Sequence, residues 1–149
     1  MSGTGDAPGT GDTPKRLSRR RRWVDGPAVL RLPGERPGTR IPLEIAASYR
    51  ARTRGLLGRD RLDGALLLTP ASGVHTVRMR FAIDVAYLDR RLTVLAVRTM
   101  APGRLGLPRL RSRHVLEAQA GAMARWGLRR GVTVAVEPDA DRVRRTGRS

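Results

Sequence analysis

Residues 75–89 read HTVRMRFAIDVAYLD. A polar pair, His75 and Thr76, opens the stretch, and two arginines follow at alternate positions, Arg78 and Arg80. An apolar run starts at Phe81, is broken once by Asp84 and ends at Asp89. Such a run with one internal carboxylate predicts a central strand over 83–88. A buried carboxylate without partners is costly. Asp84 should therefore be met by donors, either loop amides or Arg54 as an ion-pair partner. Residues 75–79 read as an extended segment. If it is regular, Thr76, Arg78 and Arg80 share one face, and residues 75, 77 and 79 line the other.

Working outward, 89–91 predicts a tight turn and 92–97 the returning strand. Both arms of this hairpin are apolar on both faces, which predicts a sheet closed into a barrel or covered by helices. Downstream, 101–113 is a long basic connection with arginines at 104, 109, 111 and 113. A strand over 115–118 and a short helix over 120–126 follow, with Met123 and Trp126 facing inward. The alternation of Val132, Val134 and Val136 then predicts a half-buried strand over 132–137. Upstream, strands are expected over 28–32, 41–46 and 65–68. Ser48 is placed to cap a helix over 49–57, with Tyr49, Thr53, Leu56 and Leu57 on its inner face and Gly58 at its end. Gly55 falls inside that helix, where it costs about 1 kcal/mol relative to alanine.

The 149 residues suit one domain with tails: a disordered basic tail over 1–26, a globular unit over 27–138 and a charged tail over 139–149. The net charge is +17, and Lys15 is the only lysine. Such charge attracts nucleic acid, anionic membrane or acidic partners. The even spread of arginine along the chain favours a compositional preference for arginine instead. The run 15–22 lacks the apolar stretch that should follow a twin-arginine export signal, and no segment approaches the ~20 apolar residues of a membrane span. A cytoplasmic protein is expected. There is no cysteine, which excludes disulfides and thiol catalysis. The two histidines, His75 and His114, lie in no closely spaced metal-binding cluster.

Candidate chemistry is sparse. Thr76, Arg78 and Arg80 would form an anion site, since guanidinium forks suit carboxylate or phosphate. Their plain alternative is surface arginines on a strand. Asp84 is either a pocket anchor or a structural acceptor, and Glu117, also in a strand, has the same two readings. His75, Asp84 and Glu117 would serve as an acid/base set only if the fold brought them together. No nucleophile elbow, phosphate loop or dinucleotide fingerprint is present.

Several residues in order resemble a known family. They are Arg54-Gly55-Leu56-Leu57-Gly58-Arg59, Gly64, His75-Thr76, Met79, Phe81, the run 83–89, Val115-Leu116-Glu117, Gly121, Gly127 and Gly131. Their spacing over about 40–137 is similar to the domain-of-unknown-function 192 family of small prokaryotic proteins. The resemblance implies a compact, strand-dominated distorted barrel with short helices and no settled activity. The chain departs from the family at Arg90-Arg91, where relatives often carry a glycine, and at Ala82, where they often carry a proline. It also has no cysteine near Ala71, where some relatives have one.

The expectation is an α+β fold, strand-dominated and mostly antiparallel, as a distorted barrel with two short helices. The leading function is a non-enzymatic module that binds a small anion or a protein segment, without a cofactor, through Arg54, His75, Thr76, Arg78, Arg80, Asp84 and Glu117. The alternatives are weak nucleic-acid binding through the basic tail and loop 101–113, or a hydrolase or isomerase using His75, Asp84 and Glu117.

Overall fold

A computed structural model describes residues 22–34, 39–139, 141 and 144–145. Among these residues, seven strands and two short helices follow one another as β1 (Gly26–Arg31), β2 (Arg40–Ala46), α1 (Tyr49–Arg54), β3 (Ala65–Leu68), β4 (Ile83–Leu88), β5 (Val94–Met100), β6 (His114–Gln119), α2 (Ala122–Arg125) and β7 (Ala135–Pro138). The strands form one mixed sheet in the order β5-β4-β6-β3-β2-β1-β7. All neighbours are antiparallel except β2 and β3, which run parallel on either side of the α1 crossover. Gly64 makes the turn into β3 at φ 78°, and a Cβ there would lie 2.2 Å from the Pro42 carbonyl oxygen, so only glycine fits.

The central strands β3 and β4 are buried along their whole length, as their apolar runs, the second broken once by Asp84, predict. Alternate side chains feed two separate cores. Leu67, Ala86, Leu88, Leu116 and Ala118 enter one, together with Met123 of α2. Leu66, Leu68, Ile83, Val85, Tyr87 and Val115 enter the other, which Leu56, Val74, Met79 and Phe81 cover from outside the sheet. The sheet is not closed by a ladder between its edge strands β5 and β7. The segments leading into those strands do meet: Val94 N–H donates to Val132 O at 2.8 Å, Gly131 N–H to Val94 O at 2.8 Å and Val134 N–H to Leu92 O at 3.0 Å.

Four local expectations change. Residues 75–79 are not extended: Arg78 takes φ 63°, Met79 N–H bonds Thr76 O at 3.1 Å, and His75 makes only an isolated bridge to Leu105. The turn lets Val74, Met79 and Phe81 all pack onto the sheet, which a regular strand would forbid, and it breaks the shared face expected for Thr76, Arg78 and Arg80. Helix α1 stops at Arg54 because Gly55 turns to φ 43°, so Gly55 ends the helix rather than lying inside it. Tyr49, expected on the inner face, is 79% exposed, and only Leu56 of the expected set is buried. The final strand starts at Ala135, because 132–134 pair with the segment before β5 instead.

Of the tail expected over 1–26, residues 1–21 lie outside the described residues. Asp25 accepts hydrogen bonds from the Ala47 and Ser48 amides, and Trp23 packs its ring 5.1 Å from that of His114. The Ser48 hydroxyl, with these two amides, holds the Asp25 carboxyl below its ordinary range. Among the described residues no helix is long and apolar enough to cross a membrane.

Candidate functional site

Strand β6 carries one acidic residue, Glu117, between Leu116 and Ala118. It faces the second core, opposite Leu66 of β3 and Val85 of β4. Only 4% of it is exposed. Among the described residues its carboxyl has no hydrogen-bond or ion-pair partner. Burial without compensation penalises the charged form and pushes the Glu117 carboxyl up to about 7.

The carboxyl lines a cavity of about 260 Å³. Leu68 at the end of β3, Leu56 and Leu57 after α1, and Val74 and Met79 from the following loop make its walls apolar. Arg52, Arg54 and His75 complete the lining. Arg54 and His75 are exposed at the cavity mouth. Arg52 donates to Ala47 O at 2.7 Å and to Thr69 O at 3.4 Å, which ties α1 to the ends of β2 and β3. An apolar recess with a few convergent polar groups has the character of a small-ligand pocket, although its volume lies just below the usual range.

The expected site residues divide. Arg54, His75 and Glu117 share this cavity. Thr76 is buried elsewhere: its hydroxyl donates to Ala101 O at 2.7 Å and accepts from Arg104 N–H at 2.8 Å, pinning the loop after β5. Arg80 is exposed and pairs with Asp60 at 2.8 Å, which raises its pKa further. Arg78 is exposed on the turn.

Asp84 lies on the opposite face of the sheet from Glu117, because its cross-strand partner is Ala118. It accepts from the Thr99 hydroxyl at 2.7 Å, the Gly121 amide at 2.9 Å and the Met123 amide at 3.1 Å. Gly121 has no side chain to cap α2, and Asp84 supplies that acceptor from a neighbouring strand. The donors are amides and a hydroxyl, as one of the two expectations held, and not Arg54.

The acid/base set of His75, Asp84 and Glu117 is therefore not assembled, since the sheet separates Asp84 from the other two. The second histidine, His114, bonds Thr69 through Nδ1 at 2.7 Å, and burial lowers its pKa. Arg52, Leu57, Leu68 and Val74 were not candidates from sequence. Nothing local marks them, because they meet only through the crossover and the loop before β4.

Residues 31–136 match the family described as "Uncharacterized ACR", DUF192. A UPF0127 protein of Pyrococcus horikoshii is 29% identical over 84 residues, which span 53% of this chain and 73% of that protein. A protein of unknown function from Novosphingobium aromaticivorans shares the fold with TM-score 0.65 at 19% identity, covering 73% of this chain and 84% of that one. A Sinorhizobium meliloti protein, provisionally described as a transcription regulator, also reaches TM-score 0.65 at 17% identity, covering 78% of this chain and 98% of that one.

Proposed function

The chain belongs to the DUF192 family, whose function is unknown, and on that premise we propose that it is a non-enzymatic binding module for a small carboxylate, free or carried on a protein segment. One observation carries the reading: a buried carboxyl without a partner sits in a recess walled by leucine, valine and methionine, whose mouth holds Arg54 and His75. Arg54 attracts an anion to the opening. Glu117, protonated below about pH 7, donates a hydrogen bond to the ligand carboxylate, while Leu56, Leu68 and Met79 cover the ligand's apolar body. Thr76 and Asp84 act as supports for the loops around the site, and Arg78 and Arg80 lie outside it. In the same reading the folded unit spans 27–138 as a distorted barrel, which the bonds between 92–94 and 131–134 support.

Calorimetric titration with butyrate tests the proposal. The complex needs protonated Glu117, whose pKa is raised to about 7. Affinity should therefore fall about tenfold between pH 6 and pH 8. Glu117→Ala should abolish binding, and Arg54→Gln should weaken it. Butyrate affinity that rises with pH would mean that protonated Glu117 is not the group that binds it and would overturn the reading. Absence of binding to butyrate and to a peptide C-terminus at pH 6 would overturn the module itself.

A further inference from the structure

Loop 101–113 presents three leucines almost wholly to solvent: Leu105 at 79%, Leu107 at 82% and Leu110 at 96% exposure. Exposed leucines in a slack loop would carry little meaning. This loop is not slack. It lies along residues 72–76 and is bonded to them repeatedly: Gly103 N–H to Thr76 O at 2.7 Å, Thr76 N–H to Arg104 O at 2.7 Å, Gly106 N–H to Val74 O at 2.8 Å and Arg109 N–H to Ser72 O at 2.8 Å. Gly106 is pressed so close to the body that a Cβ would lie 2.7 Å from the Tyr87 hydroxyl oxygen and 2.8 Å from a Val74 methyl. The backbone is thus held while the leucines point away from the core.

Charge is arranged to match. The loop contains four arginines and no acidic residue, and the paired segment 70–83 contains no acidic residue either. Arg109 stacks over the Tyr87 ring at 4.8 Å. Arg104, Arg111 and Arg113 are exposed and have no ion-pair partner among the described residues.

We infer that this strap is a docking surface for an anionic lipid bilayer. The leucines enter the boundary between headgroups and acyl chains, and the interleaved guanidinium groups bind the anionic headgroups. Nucleic acid fits the pattern less well. Leucine gains nothing from phosphate or sugar, and the loop has no aromatic side chain on which a base could stack.

The test is sedimentation of the full-length chain with vesicles of phosphatidylcholine containing phosphatidylserine, against vesicles of phosphatidylcholine alone. The parent should partition to the anionic vesicles only. The triple variant Leu105→Ser, Leu107→Ser, Leu110→Ser should partition about tenfold or more less well. Its melting temperature should not change, because the replaced side chains touch mainly water. Arg104→Gln with Arg111→Gln should lower the preference for phosphatidylserine. Equal partition of the serine variant and the parent would overturn the inference, since charge elsewhere on the chain would then suffice. So would failure of the parent to sediment, or leucine-dependent binding to an RNA duplex without binding to vesicles. Butyrate titration of the serine variant reads the cavity separately, so the two proposals fail independently.

Discussion

Asp84 and Glu117 stand on adjacent strands, both almost completely buried, one register step apart and on opposite faces of the sheet. The first is surrounded by donors: a hydroxyl from β5 and two amides at the start of α2. The second has leucine, valine and methionine around it and makes no hydrogen bond or ion pair among the described residues. The two acids are buried to a similar degree, and what differs is the donors that reach them. On one face a carboxylate has become part of the fold, acting as the cap that Gly121 cannot provide. On the other, a carboxyl has been left to find its partner in something that enters the cavity. Burial of an acid is therefore no signal of function by itself, whereas burial without a hydrogen bond beside an open recess is.

The contrast predicts its own disruption. Asp84→Ala should produce the largest effect. Three hydrogen bonds to a charged acceptor disappear and the buried Met123 amide is orphaned, so unfolding in urea should show a loss of about 4 kcal/mol. A loss under about 1 kcal/mol would mean that the cap is dispensable and the comparison false.

The effect at Glu117 is next in size and opposite in kind. Its folded pKa of about 7 lies above the ordinary 4.5. Between these values the native state keeps a proton that the unfolded chain has lost. This group's contribution is therefore full below pH 4.5, and stability falls as pH rises towards 7, by about 3 kcal/mol in all. Glu117→Gln should remove that slope, leaving the variant more stable than the parent at pH 8 and close to it at pH 5 in paired urea titrations. The smallest effect is expected for Thr99→Val, which removes one of the three donors to Asp84 and should cost about 1 kcal/mol. The same substitution should leave the pH profile set by Glu117 unmoved, because the sheet lies between them.

Much of this contrast was legible residue by residue. The runs 65–68 and 83–88 coincide with β3 and β4 because strands buried on both faces must be almost wholly apolar, and a helix does not suit runs so short. The expectation that Asp84 needs donors followed from the cost of burying a charge. The segment 75–79 misled, because alternation of polar and apolar residues cannot distinguish a strand from a turn that packs Val74, Met79 and Phe81 onto the sheet. The cavity was invisible for a related reason. Leu57, Leu68, Val74 and Glu117 come from separate elements, and no window of the chain contains them together.

Composition and periodicity by themselves determined about seven short strands and placed two acids, Asp84 and Glu117, within them. The tertiary structure alone decided which acid faces which side. Side chains alternate along a strand, so pairing Asp84 with Ala118 and Val85 with Glu117 sends the two carboxyls to opposite faces. That register follows from packing summed over both cores, which no single segment encodes.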